Sequence, residues 1–273
     1  MISNLIHLPH LSNLTKRIIT ALCLITFVIL GIWSSTPFYF SIFSGFFVLL
    51  AAYEWAVLVR FKLKTKILFL GIFLLLMLSS IWIAPILILG LACLFWIGAF
   101  YPVLSYKNNE AYIKTACQWV KNTRLMMVIG IMVLFPFWVA ITSLFNIDKK
   151  LLLILILIVA AQDSGAYFIG KRWGKHKLLE QVSPGKTWEG VLGGIIVAML
   201  VVLFTLPHAL MGISLALMIF SILGDLFESV IKRLFHAKDS GTILPGHGGL
   251  LDRIDSLTAG APFFVMGVLW MLH

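Results

Sequence analysis

The sequence predicts an all-α, polytopic integral membrane protein, and three observations carry that prediction. Long apolar runs recur from one end of the chain to the other. Of its 273 residues, 61% are hydrophobic and only 12% are charged, about half the charged share of an ordinary soluble domain. The mean hydropathy is +1.04. So little polar surface cannot cover a soluble core, which excludes a soluble enzyme, a disordered chain and a disulfide scaffold together.

Crossing about 30 Å of hydrocarbon takes about 20 helical residues. Runs of that order lie at 18–36, 38–59, 67–84, 86–104, 125–145, 151–170, 190–207, 209–227 and 257–272, which predicts about nine transmembrane helices. The first run is too long for a signal peptide and lacks an evident small-residue cleavage site, so it reads as a retained helix. Only Pro85 separates the third run from the fourth.

The formal net charge of +10 has a membrane explanation that needs no nucleic acid. Basic residues concentrate in cytoplasmic loops. With the N-terminus cytoplasmic and the C-terminus outside, nine spans leave every Lys and Arg on the cytoplasmic side except Lys149 and Lys150. Dropping one helix would scramble the later loops. Cys23 and Cys93 sit in apolar runs as small hydrophobes, Cys117 lies in a polar stretch, and no C-x-x-C pair points to zinc.

Polarity divides the chain. Before residue 160 the acidic residues are Glu54, Glu110 and Asp148, and no loop there carries a motif. Residues 1–150 read as an N-terminal scaffold of about five helices. Residues 151–273 read as a catalytic region of about four helices with cytoplasmic loops 171–189 and 228–256, because most remaining acids fall at or beside cytoplasmic helix ends.

Asp163, in A-Q-D-S-G-A-Y-F-I-G, lies inside the sixth run, about 12 Å below its cytoplasmic end. A carboxylate at that depth is functional or paired by default; a buried ion pair or a protonated structural Asp is the alternative. Ser183-Pro184-Gly185-Lys186-Thr187 has the parts of an anion-binding turn. Glu180 stands where a Walker A motif needs Gly, so it is not a P-loop. The other reading is a polar loop with Thr187 as helix cap and Gly190-x-x-x-Gly194 as a packing seam. Asp225, Ser229 and Lys232, spaced i, i+4, i+7, share one stripe at the cytoplasmic end of the eighth run. That stripe suits a metal beside a phosphate and equally a salt-bridge ladder.

The next segment is more specific. Lys238-Asp239-Ser240-Gly241 leads to Pro245-Gly246-His247-Gly248-Gly249 and then Asp252-Arg253-Ile254-Asp255. The glycines and the proline forbid a helix there and give a backbone able to wrap an anion. If helical, Asp252 and Asp255 share a face at the start of the last span. Carboxylate oxygens completed by substrate phosphates are hard-cation chemistry. His247, with no second His or Cys nearby, reads as a phosphate hydrogen-bond donor.

From Ser229 to Asp255, S-V-I-K-R-L-F-H-A-K-D-S-G-T-I-L-P-G-H-G-G-L-L-D-R-I-D resembles the signature of the phosphatidate cytidylyltransferase (CDP-diacylglycerol synthase) family without departure. The upstream blocks A-Q-D-S-G-A-Y, S-P-G-K-T-W-E-G and G-D-L-F-E-S resemble the same family in the same order, so the likeness covers roughly residues 160 to 260. The resemblance implies CTP and phosphatidate as substrates, CDP-diacylglycerol and pyrophosphate as products, and a divalent metal, as a rule Mg²⁺; a second, monovalent cation is left open. It also implies a homodimer in a bacterial inner membrane.

The reaction joins two polyanions, so its catalysis is positioning and charge neutralisation. Asp163, Asp225, Lys232 and Asp252 are the expected catalytic residues. Ser183, Lys186, Thr187, Ser229, Arg233, Lys238, His247 and Arg253 are expected to bind substrate. Asp225 and Asp252 are expected to hold the metal, with Asp255 as a third ligand or an outer partner. A transporter would also have broken helices and buried carboxylates, but here the polar residues gather at one face. The D-x-x-D-G-x-x-A-R pattern of a CDP-alcohol phosphotransferase is missing. A CTP-dependent lipid kinase would differ in its product.

Overall fold

The computed structural model describes residues 26, 28–106, 110–241, 243 and 248–272. Several helices begin where the sequence supplies a start signal. Residues 28–34 are helical and lead to α1 (Pro37–Leu58), which opens on a proline. Proline suits a first turn because the N–H it lacks has no intrahelical partner there. The chain continues through α2 (Leu63–Ser79), a 3₁₀ turn over Ser80–Trp82, and α3 (Pro85–Ser105), again opened by proline. The short α4 (Glu110–Trp119) precedes α5 (Thr123–Ile147), where the Asn122 side chain accepts the N–H groups of Arg124 and Leu125 at 3.1 and 3.2 Å. Asp148 caps α6 (Lys149–Trp173) by accepting the Lys150 N–H at 2.8 Å.

A hairpin follows, with β1 (Lys177–Leu179) antiparallel to β2 (Ser183–Thr187). The all-α class therefore holds with one small addition. Lys177 lies opposite Thr187 and Leu179 opposite Ser183, with a register shift between them. Pro184 is tolerated because nothing has to accept its missing N–H on an exposed two-stranded edge. Thr187 then caps α7 (Trp188–Thr205) through the Gly190 N–H at 3.1 Å, as one sequence reading expects. A 3₁₀ turn over His208–Leu210 runs into α8 (Met211–Leu234), and α9 (Leu251–Leu272) ends the described chain.

Among the described residues, seven helices are long and apolar enough to cross a membrane. They are α1, α3, α5, α6, α7, α8 with its leading turn, and α9. Two of the nine expected spans are not among them. The expected third span forms α2, whose 17 residues reach about 26 Å, with the 3₁₀ turn over Ser80–Trp82 following it directly. Of the first expected run, residues 18–25 and 27 lie outside the described residues. Both ends of the loop expected at 228–256 are helical instead, because α8 runs to Leu234 and α9 starts at Leu251.

In lipid, apolar side chains gain little by meeting each other, so helix contacts rest on close packing and polar bridges. The outer faces stay apolar and exposed, as with Phe38, Phe46, Leu91 and Leu94. α5 is the central helix, touching α1, α2, α3, α6 and α9, and the broadest contacts join α6 to α7 and α8 to α9. Trp55 Nε1 donates to the Met126 carbonyl at 3.0 Å, and Gln162 Nε2 donates to the Met218 carbonyl at 2.9 Å. Glycine permits the closest approaches. A Cβ at Gly194 would lie 3.0 Å from Ala166 Cβ, and one at Gly224 would lie 2.9 Å from Ala259 Cβ. These two seams hold α6 against α7 and α8 against α9, and all four helices carry polar side chains to one end of the bundle.

Candidate active site

The last turns of α8 and the first turn of α9 converge at that end. Lys232 Nζ donates to Glu228 Oε1 at 3.1 Å, one turn back on α8, and to Asp252 Oδ1 at 2.7 Å on α9. The Lys232 and Glu228 side chains are 11% and 6% exposed, so this is an ion pair removed from water. Asp252 also folds the loop between the helices. Its Oδ2 accepts the Ser240 N–H at 2.9 Å and the Gly249 N–H at 2.8 Å. Gly248 has φ of +80° with Asp252 Oδ2 against it, so only glycine fits that bend without strain.

A second group lies beside the first. Lys186, near the end of β2, forms an ion pair with Asp225 on α8. Ser229 Oγ donates weakly to Asp225 Oδ1 at 3.4 Å, one turn further along. Asp163 on α6 and Asp255 on α9 both lie near enough to Asp225 to feel its charge, and both also feel Lys186. Asp255 Oδ1 accepts the N–H of Ser256 at 2.7 Å. Four elements thus bring three carboxylates and a lysine within electrostatic reach of one another.

The expected stripe on α8 is real but divides its loyalties. Asp225 pairs across to the hairpin, whereas Lys232 pairs with Glu228 and Asp252. Of the other expected residues, Thr187 is buried and caps α7, and Ser183 is half-buried in β2. Arg233 Nε donates to the Val182 carbonyl at 3.1 Å, which ties the hairpin to the end of α8. Lys238 and Arg253 are exposed at the two ends of the loop. His247 lies outside the described residues.

Two residues here were given no role by sequence. Glu228 partners Lys232, and its i, i+4 spacing was the available signal. Glu54, on α1, accepts the Leu251 N–H at 2.8 Å from 197 positions away in sequence. An acid within an apolar run was the signal in its case.

Among the described residues, no three His, Cys, Asp or Glu side chains close on one point tightly enough to hold a metal unaided. Mg²⁺ asks for less, since one or two carboxylates suffice when phosphates and waters complete its octahedron. Asp225 and Asp255, on facing turns of α8 and α9, are a fitting donor pair.

Comparison with known proteins finds similarity over most of the chain. The model of the "Cytidylyltransferase family" matches residues 15–271. A phosphatidate cytidylyltransferase of Haemophilus influenzae is 38% identical, covering 92% of this chain and 97% of that protein. One from Pseudomonas aeruginosa is 36% identical, covering 94% and 97%. One from Bacillus subtilis is 41% identical over 53% of this chain and 60% of its own length. With a match that runs through every described span and through the whole convergence of α6, α8, α9 and the hairpin, the chain belongs to the cytidylyltransferase family.

Proposed function

We propose that this chain is a phosphatidate cytidylyltransferase, making CDP-diacylglycerol and pyrophosphate from CTP and phosphatidate in membrane phospholipid synthesis. A phosphate oxygen of phosphatidate attacks the α-phosphorus of CTP, and the bond from that phosphorus to the β-phosphate bridging oxygen breaks. No dedicated base is needed, because a phosphomonoester with a second pKa near ~6 is already largely dianionic at neutral pH. The observation that carries the reading is the pairing of cations with carboxylates at one end of the bundle: Lys186 with Asp225, and Lys232 with Glu228 and Asp252.

Each residue has a task in that scheme. Lys186 and Lys232 neutralise phosphate charge, and Lys238 and Arg253 draw the nucleotide to the loop. Asp163 stands beside Asp225 and Lys186 from α6. Arg233 holds the hairpin, and with it Lys186, against α8. Asp225 and Asp255 would hold Mg²⁺, rather than the Asp225 and Asp252 expected from sequence, because the Asp252 carboxylate already answers Lys232, Ser240 and Gly249. When bound, the ion would screen the charge of the triphosphate and align the reacting phosphates.

The setting follows from the substrates. One is soluble and one keeps its acyl chains in the bilayer, so a site at headgroup level between helices admits both. In this reading the site end is cytoplasmic, the N-terminus lies inside and the C-terminus outside. The membrane is the bacterial inner membrane, and the protein acts as a homodimer. The test is pyrophosphate release by purified protein. It should require CTP, phosphatidate and Mg²⁺ together, one pyrophosphate per lipid converted; release without phosphatidate would refute the reading.

A further inference from the structure

Glu54 belongs by sequence to the scaffold half, yet it is 2% exposed and lies against the glycine-rich loop of the site. Its Oε2 accepts the Leu251 N–H at 2.8 Å, and the N–H groups of Leu250 and Ile243 face the same carboxylate. Leu251 is the first residue of α9. The opening N–H groups of a helix have no partner within it, and the positive end of its dipole favours an anion. Glu54 supplies that anion from α1, so it caps α9 from another part of the chain.

The loop is gripped from both sides. Asp252 holds the N–H groups of Ser240 and Gly249. Glu54 packs so closely against Gly241 and Gly249 that a Cβ at Gly249 would stand 2.7 Å from Glu54 Oε2. Two residues that sequence marks as loop formers are thus glycines because a carboxylate from α1 occupies the space beside them. The turn that Glu54 caps is the one carrying Asp252 and Asp255.

We propose that Glu54 is a positioning residue for the cytidylyl-transfer site. It touches neither substrate nor reacting atoms. It fixes the first turn of α9 and the loop before it, and so fixes the angle at which Asp255 faces Asp225 and Asp252 faces Lys232. This rests on the function proposed above, and its test contains an arm that does not.

The experiment compares full-length Glu54→Ala, Glu54→Gln and wild type in detergent. Hydrogen exchange of the backbone amides at 248–251, without substrate, reads the grip alone. Glu54→Ala should lose about tenfold or more of the protection at Leu251, as expected for a lost hydrogen bond to a charged acceptor. Glu54→Gln keeps one acceptor oxygen and should recover much of it. In turnover, Glu54→Ala should raise the Mg²⁺ midpoint and the CTP KM several-fold, with Glu54→Gln between it and wild type. A uniform fall in active fraction with Mg²⁺ midpoint and KM unchanged would mean a purely structural role and overturn the proposal. So would wild-type exchange at Leu251 in Glu54→Ala. If the exchange result holds and wild type makes no cytidylylated lipid, the function proposed above fails while the grip stands.

Discussion

Lys232 Nζ lies 2.7 Å from Asp252 Oδ1, which ties the end of α8 to the first turn of α9 across the loop that separates them. The same ammonium answers Glu228, whose carboxylate is almost wholly removed from water. Removing the lysine leaves two carboxylates without a counter-charge, and breaking a buried pair on one side is strongly destabilising, at about 3–5 kcal/mol. Lys232→Met should lower the thermal midpoint and abolish turnover. Lys232→Met combined with Glu228→Gln should recover much of the stability and none of the turnover. Scanning unfolding of the purified single and double variants checks this, and an unrestored double variant would show that the charge of Glu228 is not what the lysine compensates.

Asp225 and Asp255 should govern metal dependence. Replacing either by Asn keeps its volume but removes a charge from a site that faces polyanions. The expected loss is about 10²-fold in turnover, the scale of one preorganised electrostatic element, with a raised Mg²⁺ midpoint. EDTA should abolish activity and added Mg²⁺ restore it. Titrating Mg²⁺ against each variant checks the assignment, and an unshifted midpoint in both would place the metal elsewhere.

Gly224 offers a purely steric test. A Cβ there would press on the Asp255 carbonyl and lie 2.9 Å from Ala259 Cβ. Gly224→Ala should push α8 from α9 and cost about 1–3 kcal/mol of stability by overpacking. Because Asp225 and Asp255 flank that contact, the Mg²⁺ midpoint should rise as well. Gly212→Ala, with nothing within 4 Å of the added carbon, should leave both unchanged. Equal behaviour of the two variants would show that this seam does not set the carboxylate pair.

Asp163 lies beside Asp225 and Lys186, as Asp148 does not. Asp163→Asn should reduce turnover well beyond Asp148→Asn, since Asp148 only caps α6. Matched assays of the two folded variants decide it, and equal activities would make Asp163 structural.

Most of this architecture was legible because membrane spans announce themselves by length and apolarity. The α8–loop–α9 segment was legible for a different reason, its glycines and carboxylates lying close together in the chain. The helical start of α9 at Leu251 was harder to place, because its cap comes from Glu54 on α1 and no local residue signals it. The hairpin was also hidden: a serine, a proline and a glycine in a row favour a turn locally, and only pairing with Lys177–Leu179 makes them a strand. The partners of Lys232 illustrate the same limit. Spacing put Asp225 on its stripe, while packing of α9 gave it Asp252 instead. Long-range pairing decides such choices, and one-dimensional spacing does not carry it.

The most direct test uses CTP labelled separately at the α- and γ-phosphates, given with phosphatidate and Mg²⁺ to the purified protein in mixed micelles. The expected result is α-label in the lipid phase as a CDP-linked lipid, with γ-label released as pyrophosphate. Label from the γ-position in the lipid, with CDP left in water, would make this a lipid kinase and contradict the proposed chemistry.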